Sequence, residues 1–178
     1  IRWIEEKMNV YLNKVLKTKG EDYVIASDTD SIYLNLGPLV ETVYKGREKT
    51  DQSVVGFLNK VSEMELEPYI QSSYEELAEY VSAYDQKMIM KRENIASSGI
   101  WTAKKRYMLN VWDSEGVRYN KPKLKMMGIE AVKSSTPAPC RTAIKDAINI
   151  MMNGTENDLV SFIDTFKDEF NSLPPEDI

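Results

Sequence analysis

Apolar residues recur at the spacing of an α-helix in three parts of the chain. The first part is an amphipathic stretch that ends before Gly20 and carries Ile1, Ile4, Met8, Leu12 and Val15. A longer pattern covers residues 53–81, and we expect an interruption at Pro68, because proline lacks the backbone N–H that a helix needs. The third part follows a helix start at residues 134–139 and predicts two more helices.

Runs rich in β-branched and aromatic residues predict strands between these helices. YVIA (23–26) and IYLNL (32–36) flank the turn-forming residues 27–30, a pattern typical of a β-hairpin. Three further runs are predicted strands: KMIMKREN (87–94), KKRYMLNVWD (104–113) and VRYNKPKLKMM (117–127). The chain therefore predicts an α+β fold, with one mostly antiparallel sheet and packed helices, followed by a helical domain that begins near Ser134.

The composition restricts the chemistry that the chain can perform. The 178 residues include no histidine and one cysteine, Cys140, which excludes an internal disulfide, the common zinc sites and histidine-based catalysis. The remaining metal ligands are carboxylates, and their hard oxygens favour Mg²⁺, Mn²⁺ or Ca²⁺. Because the apolar runs are short and no signal-like leader is present, we expect neither a membrane span nor secretion. The chain starts at Ile1 inside a predicted helix, so we expect it to be part of a longer polypeptide.

Charge is distributed unevenly along the chain. The net charge is −5, yet residues 85–125 contain 10 Lys or Arg against 4 Asp or Glu, a local balance of +6. The other residues contain 13 against 24, a balance of −11. Because a local basic patch decides phosphate binding better than the whole-chain charge, residues 85–125 are a candidate nucleic-acid interface.

Two aspartates, Asp28 and Asp30, lie one residue apart in the predicted hairpin. Residues i and i+2 of an extended chain point to the same face, so we expect the two carboxylates to lie side by side while Thr29 points away. Two unit charges about 4 Å apart repel by ~4 kcal/mol at an effective dielectric constant of about 20, so either one carboxyl is protonated or a cation lies between them. The pair is a candidate site for a divalent metal ion.

The local sequence allows several interpretations of this pair. It can be a polar turn, since Asp and Ser hydrogen-bond their own backbone. An EF-hand loop is excluded, because Tyr33 and Leu39 stand where that loop needs glycine and a bidentate glutamate. Phosphatases of the haloacid dehalogenase type also carry a D-x-D motif, but it ends a parallel strand and precedes βα units. The pair also suits the palm of a nucleotide polymerase, in which carboxylates hold two divalent ions about 3.5–4 Å apart.

Longer stretches of the sequence resemble one family. IASDTDSIYLN (25–35) resembles the motif of family B DNA polymerases in which D-T-D-S forms the turn of a palm hairpin. Four more stretches occur in the order found in the replicative polymerases of T-even-type bacteriophages: KRENI (91–95), WTAKKRYMLNVWD (101–113), PKLKMMGIE (122–130) and SSTP (134–137). The resemblance covers essentially the whole chain. It implies the C-terminal part of a polymerase palm (1–133) and the beginning of a thumb (134–178).

The resemblance implies roles for three carboxylates. Asp30 corresponds to the principal catalytic aspartate, which binds both metal ions, expected to be Mg²⁺. Asp28 corresponds to its neighbour in the catalytic site, with less direct metal contact. Glu93 corresponds to a carboxylate close to the same metal site.

The resemblance also implies a DNA-binding element that grips the primer end: Lys104, Lys105, Arg106 and Tyr107. Alternate residues of a strand share a face, so Lys105 and Tyr107 would contact phosphate and sugar together. Three further residues are either an extension of this DNA-binding track or a solvated surface: Arg92, Lys123 and Lys125.

The chain departs from the family pattern at several points. Lys91 stands where an aspartate is expected, SSGIW (97–101) is shorter than the usual glycine-rich segment, and Ala138 replaces a lysine. The sequence lacks the D-x-x-S-L-Y-P-S element with the second metal-binding aspartate, the K-x-x-x-N-S-x-Y-G helix and the exonuclease motifs. We therefore predict part of a DNA-directed DNA polymerase that is inactive as an isolated chain. The alternatives are a non-catalytic primer–template-binding module and a haloacid-dehalogenase-type phosphatase.

Partners and location follow from the same resemblance. They are primer–template DNA, a deoxynucleoside triphosphate, the missing N-terminal polymerase polypeptide and a sliding clamp bound through a C-terminal part outside this chain. The implied location is the cytoplasm of an infected bacterial host, with no membrane partner.

Overall fold

The structure is a computed structural model, and it describes residues 1–174. The α-helices are α1 (Arg2–Leu16), α2 (Gly37–Val43), α3 (Asp51–Val61), α4 (Glu67–Tyr80), α5 (Ala138–Asn153) and α6 (Glu156–Ser172). The strands are β1 (Val24–Asp28), β2 (Ser31–Leu34), β3 (Asn94–Ala103), β4 (Arg106–Ser114) and β5 (Val117–Met127). This content confirms the predicted α+β class. The strands form two sheets, β1–β2 and β3–β4–β5, instead of the expected single sheet.

The chain divides into two compact units. The first contains residues 1–95 and 113–117, and the second contains residues 96–112 and those from 118 onward. The predicted boundary between palm and thumb at Ser134 falls inside the second unit and stays a prediction, since a compact unit need not coincide with a functional domain. Residues 175–178 of the predicted thumb lie outside the described residues. No helix between residues 1 and 174 has the length and apolar character needed to cross a membrane.

The core of the first unit forms around α1. Ile4, Met8 and Leu12 are fully buried at the spacing i, i+4 and i+8, which is the apolar stripe that the sequence predicts. They pack against residues of the α4 region and of β1: Leu66, Ile70, Tyr74, Tyr23 and Val24. The indole N–H of Trp3 donates to the carbonyl of Ser73 at 2.8 Å, which joins α1 to α4. As a result α1 forms a fixed support for the strand that leads to Asp28.

The interruption expected near Pro68 is present. The helix α3 continues through a π-helical turn, Ser62–Leu66, into α4, and Pro68 lies in the first turn of α4. Proline cannot donate a hydrogen bond to the preceding turn, and a π-helical turn is a common way for a helix to accommodate such a break. Residues 51–80 are therefore helical throughout, with one locally widened turn.

The core of the second unit lies between the β3–β4–β5 sheet and α5. It consists of Met108, Ile129, Ala131 and Ile148, with Ile100, Leu124, Met126, Ile144 and Met152 packed against them. β4 is the central strand, and its residue Asn110 is buried. The side-chain amide of Asn110 donates to the Ser97 hydroxyl at 3.1 Å, which satisfies a polar group that burial would otherwise penalise.

The prediction of a strand at residues 87–94 is wrong. Residues 87–93 have no regular structure, and β3 begins at Asn94 and includes the SSGIW run. The backbone N–H of Arg92 donates to the Glu67 carboxylate at 3.0 Å, so it is not available to a neighbouring strand. A side-chain contact thus takes the place of the sheet hydrogen bond that the strand pattern implied.

Candidate active-site residues and nucleic-acid interface

Asp28 and Asp30 lie at the tip of the β1–β2 hairpin. Asp28 pairs with Ser31 as the last rung of the antiparallel ladder, and Thr29 and Asp30 form the two-residue turn. Thr29 has a φ of 49°, a left-handed conformation that is unusual for a β-branched residue. Asp28 is half-buried, whereas Asp30 is exposed. Because Asp30 belongs to the turn, strand alternation does not determine where its carboxylate points.

Short contacts stabilise the tip around Asp28. The Thr29 hydroxyl donates to the Asp28 carboxylate at 3.0 Å, and the Ser31 hydroxyl donates to the Asp28 carbonyl at 3.1 Å. These contacts are what the polar-turn interpretation predicts, and they leave the Asp30 side chain outside the turn's own hydrogen bonds. The direct antiparallel hairpin also speaks against the phosphatase alternative, whose motif needs a parallel strand followed by a helix.

The beginning of β1 is anchored by Asn9 of α1. Its side-chain oxygen accepts hydrogen bonds from the backbone N–H groups of Tyr23 and Val24, at 2.8 and 3.0 Å. Its side-chain N–H donates to Asp22 at 2.8 Å. Between Val24 and residue 26 the pairing register shifts by one residue, as in a β-bulge. Asn9 thus sets where the strand begins, four residues before Asp28.

Glu93 is exposed and lies just before β3, where its carbonyl accepts a hydrogen bond from the Glu115 backbone N–H at 2.6 Å. In the part of the chain that the structure describes, no three acidic or cysteine side chains are grouped so that they could hold a metal ion. The structure therefore does not bring Glu93 together with Asp28 and Asp30 as a three-ligand site. The two aspartates remain neighbours through the hairpin alone.

Arg92 has a role that the sequence did not indicate. Its guanidinium group pairs with Asp113, whose side chain is 2% exposed, and also donates to the side-chain oxygen of Asn59. Asp113 in turn accepts the backbone N–H of Gly116 at 3.0 Å, within the turn between β4 and β5. With 12% of its side chain exposed, Arg92 joins the α3 helix to this turn.

The basic KKRY run is divided between a turn and a strand. Lys104 and Lys105 form the turn between β3 and β4 and are exposed, and Lys105 has a φ of 59°. The strand begins at Arg106, so alternation does not place Lys105 and Tyr107 on one face as expected. Tyr107 is buried, with its ring 6.4 Å from that of Trp101. The two lysines are thus the solvent-facing cations of this run.

Arg106 is held by an acidic partner. One of its guanidinium nitrogens donates to both carboxylate oxygens of Glu130, at 2.8 and 2.7 Å, and Lys133 donates to the same carboxylate at 3.2 Å. The hydrogen bond from Arg106 is the main reason that the pKa of Glu130 is lowered from 4.5 to about 2. Glu130 is therefore ionised at neutral pH and offsets the charge of Arg106.

A glycine allows the Lys104–Lys105 turn to approach the end of β5. Gly128 has a φ of 67°, and a Cβ atom at this position would lie 2.2 Å from the carbonyl oxygen of Lys105. No L side chain fits such a contact without movement of the backbone. Gly128 and Glu130 fall in the PKLKMMGIE stretch, one of those that carried the resemblance. That stretch could have identified them as candidate functional residues from the sequence. Asp113 likewise ends the WTAKKRYMLNVWD stretch, whereas Asn9 lies in none of the stretches that carried the resemblance.

Comparisons with known proteins agree with the resemblance seen in the sequence. The chain is 42% identical over 164 residues to the DNA-directed DNA polymerase of Escherichia phage RB69, covering 88% of this chain and 18% of that polymerase. It is 37% identical over 181 aligned residues to the DNA-directed DNA polymerase of Enterobacteria phage T4, covering 97% of this chain and 20% of that polymerase. No protein-family model matches the chain. The chain spans about a fifth of the length of these curated relatives.

Proposed function

Because this chain belongs by sequence to the family B DNA polymerases of T-even-type bacteriophages, we propose that it forms the C-terminal part of a polymerase palm and the beginning of a thumb. Residues 1–133 form the palm part and residues 134–178 begin the thumb. The complete polymerase catalyses template-directed nucleotidyl transfer. The isolated chain lacks this activity, because it carries one part of the metal site.

The observation that carries this proposal is the position of the D-T-D-S motif. The motif forms a two-residue turn that closes an antiparallel hairpin, and the hairpin is anchored on a buried helix. A rigid support of this kind suits a reaction whose catalysis depends mainly on positioning and on neutralising charge. The chain that carries this motif matches the two phage DNA-directed DNA polymerases over 88% and 97% of its own length.

We assign Mg²⁺ as the metal, held by Asp30 and Asp28, with Glu93 as a carboxylate close to the site. The donor chemistry fits, because carboxylate oxygens are the ligands that Mg²⁺ prefers and both side chains belong to one hairpin tip. When bound, the metal supplies charge neutralisation at the reacting phosphate. The chain itself contributes two carboxylates on a fixed turn, and the remaining ligands belong to polypeptide outside it.

We assign the grip on the primer end to the KKRY run. Lys104 and Lys105 are exposed at a turn and can reach phosphates, while Arg106 and Tyr107 form the base of that turn through Glu130 and Trp101. Arg92 remains a candidate contact, although its guanidinium group is already engaged by Asp113. The further partners that we propose are a deoxynucleoside triphosphate, the N-terminal polymerase polypeptide and a sliding clamp, in the cytoplasm of an infected bacterial host.

A chimeric polymerase tests this proposal. This chain replaces the matching segment of the RB69 phage polymerase, and primer extension is measured with Mg²⁺. We expect extension by the chimera, a loss of about 100-fold or more in the rate with Asp30→Asn, and no extension by the isolated chain. Asp22→Asn serves as the matched control, because Asp22 lies outside the hairpin tip. A folded chimera that extends primers equally well with Asp30→Asn would contradict the assignment.

A non-catalytic DNA-binding module is the second candidate, and the basic sheet of the second unit favours it. Residues 96–112 and 118–129 contain seven Lys or Arg and no Asp or Glu. Phosphate contacts by these residues predict that the affinity of the isolated chain for DNA falls steeply with salt. Binding without activity in the chimera would select this candidate over the catalytic one.

A further inference from the structure

Strand β5 carries three lysines at alternate positions, Lys121, Lys123 and Lys125. Leu124 and Met126, at the positions between and after them, pack into the core of the second unit. Because successive side chains of a strand point to opposite faces, the lysines project away from that core. Lys121 and Lys123 are exposed and Lys125 is half-buried. We call these three residues the lysine stripe.

The lysine stripe lies on an edge strand. The strand order is β3–β4–β5, so β5 has a neighbour on one side within its sheet. Among residues 1–174, no Asp or Glu side chain forms an ion pair with any of the three lysines. Lys123 lies 4.1 Å from the centre of the Tyr119 ring, a cation–π contact that fixes its direction while leaving its charge unpaired. The stripe is therefore a row of cations whose charges are not offset by neighbouring carboxylates.

The charge of the second unit is segregated around this row. Residues 96–112 and 118–129 carry seven positive charges and no negative ones, whereas residues 130–172 carry 4 Lys or Arg against 7 Asp or Glu, a balance of −3. Solubility does not require this separation, because positive and negative charges mixed over both groups of residues would also keep the surface polar. A concentration of one sign on the sheet raises the local potential for a polyanion.

The lysine stripe continues into the Lys104–Lys105 turn. Gly128, which follows the last residue of β5, lies against the backbone of Lys105, with the Lys105 carbonyl oxygen 2.2 Å from where a Cβ atom would stand. The turn thus lies at the C-terminal end of the strand that carries the stripe. Five lysines therefore occur along one connected edge of the second unit: Lys121, Lys123, Lys125, Lys104 and Lys105.

We propose that the lysine stripe is a second phosphate-binding surface that tracks the backbone of duplex DNA beyond the primer end gripped by the Lys104–Lys105 turn. This inference rests on the proposed function, since it extends the same DNA path. From Lys121 to Lys125 the strand rises about 14 Å, at ~3.4 Å per residue. One strand of B-DNA carries a charge every ~3.4 Å of axis, so a row of this length meets about four phosphates. The contact reads no bases and is sequence-independent.

The test compares two triple variants of the 178-residue chain. Lys121→Gln, Lys123→Gln and Lys125→Gln together remove the stripe, and Lys19→Gln, Lys45→Gln and Lys60→Gln remove the same charge from exposed positions in the first unit. Fluorescence anisotropy measures the affinity for a labelled duplex over a series of salt concentrations. Lys104→Gln with Lys105→Gln forms a separate arm, and thermal melting checks that each variant folds.

We expect the stripe variant to bind duplex DNA at least about tenfold more weakly at low salt and its log–log salt slope to fall by about one for each lost phosphate contact, up to about three. The control variant should keep the slope of the parent chain. Mass-spectrometric mapping of lysine acetylation should show protection of the three stripe amines by the duplex.

Three results would overturn the inference. If the stripe variant keeps its affinity for DNA while the Lys104–Lys105 variant loses it, the primer-end proposal stands. The lysine stripe then does not bind duplex DNA. If the stripe variant keeps its affinity but aggregates, the lysines protect the edge of the sheet from pairing with other strands. If the parent chain itself binds no duplex at low salt, both the stripe and the chain's own DNA grip are rejected.

Discussion

Arg106 donates from a single guanidinium nitrogen to both carboxylate oxygens of Glu130, at 2.8 and 2.7 Å. Arg106 is the first residue of β4, and Glu130 begins a short 3₁₀ helix, Glu130–Val132, beyond the end of β5. The pair therefore holds the strand at the point where it leaves the Lys104–Lys105 turn. The contribution of Arg106 is therefore to position this turn, because its own charge is already offset by Glu130.

This pair gives the stability of the second unit a defined pH dependence. The pKa of Glu130 is lowered from 4.5 to about 2 by Arg106 first, and then by its own backbone and Lys133. A lowered pKa means that the pair stabilises the folded state fully above pH 4.5 and that this contribution is lost as the pH falls toward 2. We expect the melting temperature of Glu130→Gln to lie below that of the parent chain at neutral pH, with the difference vanishing near pH 2.

Asp146→Asn is the matched control, because it removes the same charge as Glu130→Gln. Asp146 is an exposed residue of α5. Its melting temperature should follow that of the parent chain across the pH range. If the difference in melting temperature between Glu130→Gln and the parent chain stays constant down to pH 2, ionisation of the Glu130 carboxylate is not its cause.

Gly128 offers a second test of how the turn is positioned. In Gly128→Ala the new Cβ would collide with the Lys105 carbonyl oxygen, and the φ of 67° adds the usual penalty of a left-handed residue. We expect a loss of about 2–4 kcal/mol in the free energy of unfolding and weaker DNA binding, since the two lysines must shift. Chemical denaturation and anisotropy measure the two effects.

Gly46→Ala isolates the conformational part of that loss. Gly46 has a φ of 73° and nothing within 4 Å of the position of a Cβ atom. We expect it to cost about 1–2 kcal/mol and to leave DNA binding unchanged. Equal losses for the two substitutions would mean that the close approach to Lys105 is not important.

The sequence predicted most of the fold because its signals are local. Three features follow from residues close together in the chain: the buried face of α1 with Ile4, Met8 and Leu12, the interruption near Pro68, and the short gap between the predicted strands 104–113 and 117–127. The strand at 87–94 was wrong because a contact from Glu67, 25 residues away, engages the backbone of Arg92. Local patterns carry no information about such a partner.

For the candidate site, the sequence predicted which element carries the residues but not where their side chains point. The motif located Asp28 and Asp30 at a hairpin. The alternation argument treated residues 28–30 as extended chain, whereas the observed two-residue turn includes Asp30. Likewise, the KKRY run was interpreted as a strand, although its two lysines form a turn against Gly128. In both places the exact start of a strand decided the direction of a side chain, and boundaries are what sequence patterns define least well.

The buried pair of Arg92 and Asp113 predicts a large effect on stability. Asp113→Ala leaves the guanidinium group of Arg92 without its carboxylate in a site where Asp113 is 2% exposed. We expect a loss of about 3–5 kcal/mol in the free energy of unfolding, measured by urea denaturation. The double variant Arg92→Met with Asp113→Leu removes both charges and should recover most of that loss. A double variant as unstable as the single one would show that shape, not charge, is what the site requires.

Asn9 links the helical support to the candidate catalytic hairpin. Its side-chain oxygen accepts the N–H groups of Tyr23 and Val24, two residues that are buried, so Asn9→Ala leaves two buried donors without a partner. We expect a loss of about 2–4 kcal/mol in the free energy of unfolding. Because β1 then loses its fixed start, amide hydrogen exchange should accelerate across residues 23–34.

Asp22→Ala is the control that distinguishes the contact of the Asn9 side-chain N–H from the contacts of its side-chain oxygen. It removes the exposed hydrogen bond from Asn9 to Asp22 and leaves the bonds to the β1 backbone intact. We expect a loss below about 1 kcal/mol and unchanged exchange in the hairpin. In the chimeric polymerase, Asn9→Ala should lower the rate of primer extension while Asp22→Ala should not, since the position of Asp30 depends on where β1 begins. Slow exchange in Asn9→Ala together with full activity would mean that the hairpin holds its register without this anchor.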